Sequence, residues 1–144
     1  MKYKIIAHKL KNTKELIMIK QETDEDGNVR YYKNGLLHRE DGPAIEYVSG
    51  YKSWFFDGKL HREDGPAVTY ISGSSFWYIN GQFHRVDGPA VELINGYKEY
   101  WINDEELTKD QFNNPENIND ILKEFDELQE KLKSLTLKLN KLII

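Results

Sequence analysis

Apolar and polar residues alternate along much of this chain with a period of two, and turn residues interrupt the alternation at regular intervals. The segment Ala44-Ile45-Glu46-Tyr47-Val48 is β-branched and aromatic with a polar residue interleaved, which reads as a strand. Ser49-Gly50-Tyr51 turns it and Ser53-Trp54-Phe55-Phe56 runs back. Asp57-Gly58 signals a tight hairpin, because both central residues of a type I′ turn need positive φ. Lys59-Leu60-His61 begins a further short strand, and Arg62-Glu63-Asp64-Gly65-Pro66 loops round to Ala67. This leaves no room for a helix, so the pattern predicts an antiparallel meander of hairpins. Alternation then assigns faces. Ile45, Val68 and Val91, with Tyr47, Tyr70 and Leu93, are expected to share an apolar face with Trp54, Trp77, Tyr100, Phe56, Ile79 and Ile102. The opposite face of the returning strand carries Tyr32, Phe55, Tyr78 and Trp101.

After Pro115 the period changes. Ile118, Ile121, Phe125, Leu128, Leu132, Leu135, Leu139 and Leu142 fill the a and d positions of successive heptads, predicting a helix from Glu116 to Ile143. At 1.5 Å per residue it is about 42 Å long. As a coiled coil it makes a homo-oligomer, with a dimer as the first expectation; as a clasp it lies along the apolar face of the sheet. Leu122, Leu137 and Ile143 widen the stripe beyond a strict seam, and the flanking Glu124, Gln129, Lys131, Thr136 and Lys138 offer little ionic pairing. Self-association is the preferred reading of the two.

A longer period lies over the short ones. His-Arg-x-Asp-Gly-Pro-Ala occurs at 38–44, 61–67 and 84–90, each 23 residues from the last. On this spacing Tyr31, Trp54, Trp77 and Tyr100 coincide, as do Gly35, Gly58 and Gly81. A fixed period of this size means stacked supersecondary units. The units occupy 27–108. Residues 1–26 read as a capping hairpin (Tyr3–Leu10 and Glu15–Gln21 around Asn12-Thr13), with Lys9, Lys11 and Lys14 blunting its edge. Residues 109–144 carry the oligomerisation or clasp helix.

The pattern resembles MORN-type repeats. Tyr32-Lys33-Asn34-Gly35, Phe55-Phe56-Asp57-Gly58 and Tyr78-Ile79-Asn80-Gly81, each followed by a Gly-Pro-Ala strand start, carry the resemblance over 27–104. The His-Arg-x-Asp-Gly-Pro-Ala element departs from the usual consensus and looks like the variant of viral, phage and bacterial repeat proteins. The resemblance implies a β-meander solenoid used as a scaffold or binding surface, and no particular chemistry.

Composition narrows the function classes. The chain has 144 residues and no cysteine, which excludes disulfides and thiolate metal sites. A hydrophobic content of 39% is enough for a packed core. The formal charge of −4 speaks against nucleic-acid binding, since Glu40, Glu63 and three Asp cancel the arginine row. No apolar run approaches membrane-spanning length and Met1–Leu10 lacks a signal-peptide core, so a cytoplasmic protein is expected, in a host cytoplasm if it is viral. An abundance of Lys, Asn and Ile suits an AT-rich genome.

Of the chemistry-bearing residues, His38, His61 and His84 with Asp41, Asp64 and Asp87 tempt one towards acid–base catalysis. Threefold repetition argues against it, because catalysis needs one asymmetric site. The expected role is structural: Asp caps its own turn, and Arg39, Arg62 and Arg85 pair with Asp in the same or the neighbouring repeat. With repeat-equivalent histidines roughly 10 Å apart on strand spacing, no shared metal and no cofactor are expected. The chain therefore reads as a non-enzymatic interaction protein, a viral or bacterial accessory or inhibitor that binds or sequesters a protein partner. The expected partner surface is Tyr32, Phe55, Tyr78 and Trp101 with Arg39, Arg62 and Arg85. The alternatives are a sponge for a small anionic, nucleotide-like ligand and a structural component of a particle.

Overall fold

A computed structural model describes residues 1–9 and 16–142. The expected turn at Asn12-Thr13, with Lys11 and Lys14, and Ile143 lie outside the described residues. The structure is mainly β, with antiparallel strands in one large sheet and a helix at its C-terminal end. In chain order the strands are β1 (Lys2–Lys9), β2 (Leu16–Thr23), β3 (Val29–Lys33), β4 (Leu36–Leu37), β5 (Ile45–Glu46), β6 (Lys52–Ser53), β7 (Phe55–Phe56), β8 (Lys59–Leu60), β9 (Val68–Thr69), β10 (Ser75–Phe76), β11 (Tyr78–Ile79), β12 (Gln82–Phe83), β13 (Val91–Glu92), β14 (Lys98–Ile102) and β15 (Glu105–Leu107). The large sheet runs β1-β2-β3-β5-β6-β9-β10-β13-β14-β15, with β4 beside β3. The pairs β7-β8 and β11-β12 form separate hairpins.

Each repeat is a long strand paired with an interrupted one. The long strand breaks at Trp54, whose N–H donates to the Ala67 carbonyl (2.8 Å) and whose carbonyl accepts from His61 N–H (3.1 Å). Both ends of the segment Arg62–Pro66 thus close on a single residue, and the segment is extruded as a loop. Trp77 does the same between Ala90 and His84, and Tyr31 between Ala44 and His38. Neighbouring repeats are joined through the hairpins: Gly58 N–H donates to the Leu37 carbonyl (2.8 Å), and Arg39 N–H to the Phe55 carbonyl (3.1 Å). The turn at Asp57-Gly58 has φ of 46° and 81°, the two positive values a type I′ turn requires.

One face assignment changes. The register sets Ile45 opposite Ser53 and Ser53 opposite Val68. Directly opposed residues share a face, so the Ile45, Val68 and Val91 columns lie with Phe55 and not with Trp54 and Phe56. The five-residue turn Tyr47–Tyr51 decides this, because it pairs odd-numbered positions with odd ones. The expected strand 44–48 also shortens to Ile45–Glu46, since the Tyr47 carbonyl is taken by Gly50 N–H inside the turn (2.8 Å).

The core is small. Ala44, Ala67, Val68, Ala90, Val91, Ile102 and Leu107 are buried, and Ser53 is buried among them. At the C-terminal end α1 (Lys109–Phe112) covers β14 and β15, and Tyr100 packs on Phe112 with ring centroids 4.7 Å apart. A capping box fixes its start: Thr108 Oγ1 accepts from Gln111 N–H, and Gln111 Oε1 accepts from Thr108 N–H. Then α2 (Pro115–Leu142) runs for 28 residues, about 42 Å. Ile118, Ile121, Leu122 and Phe125 are half-buried, whereas every described side chain from Asp126 onward is exposed. The helix leaves the sheet rather than lying along it, which overturns the clasp reading.

Candidate functional site

The His-Arg-x-Asp-Gly-Pro-Ala loops form one row along the sheet. In each, the arginine folds back over the aromatic residue on which both ends of the loop close. The guanidinium carbons of Arg39, Arg62 and Arg85 lie 4.1, 4.1 and 4.0 Å from the ring centroids of Tyr31, Trp54 and Trp77. The other face of each guanidinium meets a glycine: a Cβ added to Gly42, Gly65 or Gly88 would stand 3.1, 3.1 or 2.9 Å from the Arg Cζ. A planar cation fits this slot and a bulkier head would not. The Nε donates to Asp41, Asp64 or Asp87 at 2.7 Å, and one terminal nitrogen to the carbonyl of Pro43, Pro66 or Pro89. Glu46 and Glu92 accept a further bond from Arg39 and Arg85. Each of these Arg–Asp pairs closes within its own repeat.

Histidine makes the link between repeats. Nδ1 of His38 accepts from Asp57 N–H (3.0 Å), Nδ1 of His61 accepts from Asn80 N–H (3.1 Å), and Nδ1 of His84 lies 2.6 Å from Asn103 Oδ1. Each imidazole thus grips the turn of the following unit. Among the described residues, no group of three His, Cys, Asp or Glu is placed to hold a metal ion.

This arrangement turns charge inside out. The arginine side chains retain 21–25% exposure, whereas Asp41, Asp64 and Asp87 retain 70, 84 and 78%. Between the first two loops lies an open cleft of about 660 Å³, lined by Trp54, Phe56 and His61, by Arg39 and Arg62, and by the more exposed Glu40, Asp41, Glu63 and Asp64. Its most exposed charges are acidic. Hydrogen bonding to Arg62 and Arg85, with their charge, holds the Asp64 and Asp87 carboxyls below the usual carboxylate range. A depressed folded-state value contributes stability above the unfolded value and loses it as pH falls. The melting temperature should therefore decline once pH drops below about 4, the unfolded Asp value. High salt should shrink the decline, because both carboxylates are exposed. A melting temperature constant from pH 6 to pH 3 would contradict the pairing.

Tyr32, Phe55, Tyr78 and Trp101 lie on the other face, since Phe55 follows Trp54 directly along the strand. The structure places these four on one face, opposite Leu37, Leu60, Phe83 and Glu106 of the adjoining strands, and away from Arg39, Arg62 and Arg85. Tyr78 stacks on Phe83 (4.2 Å), and Phe83 on Trp101 (5.6 Å). Trp101 Nε1 donates to Glu99 (2.9 Å). Four further aromatics extend this face towards the Gly50 and Gly73 turns: Tyr47 meets Tyr51 at 5.2 Å, Tyr51 meets Tyr70 at 5.0 Å, and Tyr70 meets Phe76 at 5.9 Å. Burial, with smaller effects from Asp104, Tyr70 and Tyr51, pushes the Tyr78 phenol up to about 12. At the rim Val48, Ile71 and Ile94 are 73, 82 and 69% exposed, Ile71 lying over Gly50 and Ile94 over Gly73. Sequence reasoning missed Tyr51 and Phe76 as members of this face, and Val48, Ile71 and Ile94 as its edge. The 23-residue spacing of Val48, Ile71 and Ile94 was the available signal.

No protein-family model, curated protein or solved structure matches the chain. No described helix is long and apolar enough to cross a membrane.

Proposed function

We propose that this chain is a non-enzymatic protein-interaction module: a MORN-like β-repeat solenoid that docks a protein through its aromatic face and self-associates through α2. The observation that carries the reading is the gathering of rings on one face in two groups, Tyr47–Tyr51–Tyr70–Phe76 and Tyr78–Phe83–Trp101, bordered by the exposed Val48, Ile71 and Ile94. Tyr and Trp supply rigid contact area at small entropic cost, and apolar groups gathered in this way favour a partner surface. The loop row serves as scaffold, its arginines held by their own repeats. In a cell the module acts in the cytoplasm as an accessory or inhibitor protein of viral or bacterial origin that sequesters its partner.

The anionic-ligand sponge is the weaker reading, because Nε and one terminal nitrogen of each guanidinium are engaged within its own loop and the most exposed charges of the loops are acidic. The reading is tested by capture from an extract of the source cell. Phe55→Ala with Trp101→Ala should abolish capture of the protein retained by the parent chain, at an unchanged melting temperature. Tyr70→Ala, at a position 47% exposed, gives a second readout should the double variant melt early. Capture surviving all three changes, or a nucleotide raising the melting temperature by several degrees, would replace this reading with another.

A further inference from the structure

The exposed part of α2 carries a charge pattern that a lone helix disfavours. From Glu116 to Glu130 it bears Glu116, Asp120, Glu124, Asp126, Glu127 and Glu130 against Lys123, six acids and one lysine, or −5. From Lys131 to Leu142 it bears Lys131, Lys133, Lys138 and Lys141 and no acid, or +4. The helix dipole favours acids at the first turn and lysines at the last, but its influence fades within a turn. It accounts for Glu116 and Lys141 and leaves the middle unexplained. Within one helix the segregation is unfavourable, because Glu116–Asp120, Asp120–Glu124 and Asp126–Glu130 are like charges spaced i,i+4. Ion pairs on the helix are confined to Lys123–Glu127 (4.0 Å) and Lys133–Glu130 (3.4 Å) among the described residues. On the same stretch Leu128, Leu132, Leu135 and Leu139 are 53–59% exposed.

We propose that α2 pairs with α2 of a second copy of this chain in antiparallel orientation, the acidic half of each helix lying along the basic half of the other. This rests on the self-association reading above and adds its geometry. In coiled coils the flanking charges select orientation. A parallel pair sets −5 against −5 and +4 against +4. The antiparallel pair sets opposite signs together along the whole length. When Ile118–Leu142 overlap completely, every a residue shares a layer with a d residue of the other copy, such as Leu128 with Leu132 and Phe125 with Leu135. Glu124 then comes beside the second copy's Lys138, and the two sheets stand at opposite ends of the rod.

The chain has no cysteine, so Lys141→Cys gives a single spin-label site at an exposed position. The full chain is expected to have twice its monomer mass at tens of micromolar, with the two labels roughly 30 Å apart on a rise of 1.5 Å per residue. Replacing Lys131, Lys133, Lys138 and Lys141 together by Glu should weaken the dimer at least tenfold while the a and d residues stay in place. A dimer with labels within about 15 Å, or a trimer, overturns the antiparallel geometry and leaves self-association standing. A monomer overturns both. A dimer indifferent to the charge reversal overturns the electrostatic basis of the pairing.

Discussion

Gly65→Ala should lower the melting temperature of the parent chain, and the same change should be neutral or stabilising in a chain that already carries Arg62→Ala. Gly65 has no positive φ, so backbone strain gives no reason for glycine there. At such a position alanine ordinarily raises stability by about 0.4–1 kcal/mol through the unfolded state. The opposite sign is expected because the new Cβ would lie 3.1 Å from Arg62 Cζ and 3.3 Å from its Nε and Nη2. The guanidinium cannot retreat, since the Trp54 ring lies on its other side at 4.1 Å. Displacing it strains the bonds to Asp64 and the Pro66 carbonyl as well. Overpacking of this kind costs about 1–3 kcal/mol, and the lost stack on the indole adds about 0.5–1. Gly88→Ala, where the approach is 2.9 Å, should cost more. Urea melts of the four chains in the Gly65/Arg62 cycle give the coupling directly. Equal effects of Gly65→Ala in both backgrounds would show that the glycine has another purpose.

That cycle concerns the feature the sequence displayed most openly and explained least. Repetition at 38–44, 61–67 and 84–90 showed that these loops matter, and turn chemistry showed where the chain reverses. The type I′ turns, the period-two strands and the C-terminal helix were legible because each depends on residues within a few positions of one another. The packing of Gly65 against Arg62 was not legible. Nothing local distinguishes a glycine needed for its φ from one needed for its missing Cβ. The same limit applies to the faces. Assigning Ile45 to the side of Trp54 required knowing how many residues the Tyr47–Tyr51 turn contains, and Tyr47 and Tyr51 could as well have been strand residues.

The candidate surface was half legible. Tyr32, Phe55, Tyr78 and Trp101 stood out as one aromatic per repeat, and they do share a face. Adding Arg39, Arg62 and Arg85 rested on the chain's scarcity of arginine, with four Arg against sixteen Lys. The inference that arginine is kept for a planar, many-donor task was sound as chemistry. The task is served inside each loop, and only the extrusion of Arg62–Pro66 opposite a single strand residue reveals that. Strand pairing is a long-range property, and so is the direction in which an extruded loop points its side chains.

Ile102→Ala should be far more costly than Ile79→Ala, although the two isoleucines hold the same place in successive repeats, 23 residues apart. Ile102 is fully buried, whereas Ile79 is half-buried and Phe56, one repeat earlier still, is 43% exposed. The column passes from surface to core because the last unit departs from the repeat. Leu107 and Thr108 stand where the repeat has histidine and arginine, Leu107 is buried, and α1 closes over β14 with Phe112 against Tyr100. Removing the buried branched side chain costs about 2–5 kcal/mol, since the packed end cannot collapse into the space left behind. Ile79 is already partly wet and has open surface beside it into which its surroundings can relax, so about 1 kcal/mol is expected. A repeat array leaves its terminal unit without a neighbour, so the terminal face must be closed by other means. Equal urea midpoints for the two variants would mean that α1 does not seal the end of the sheet, and that Ile102 is buried without being tightly packed.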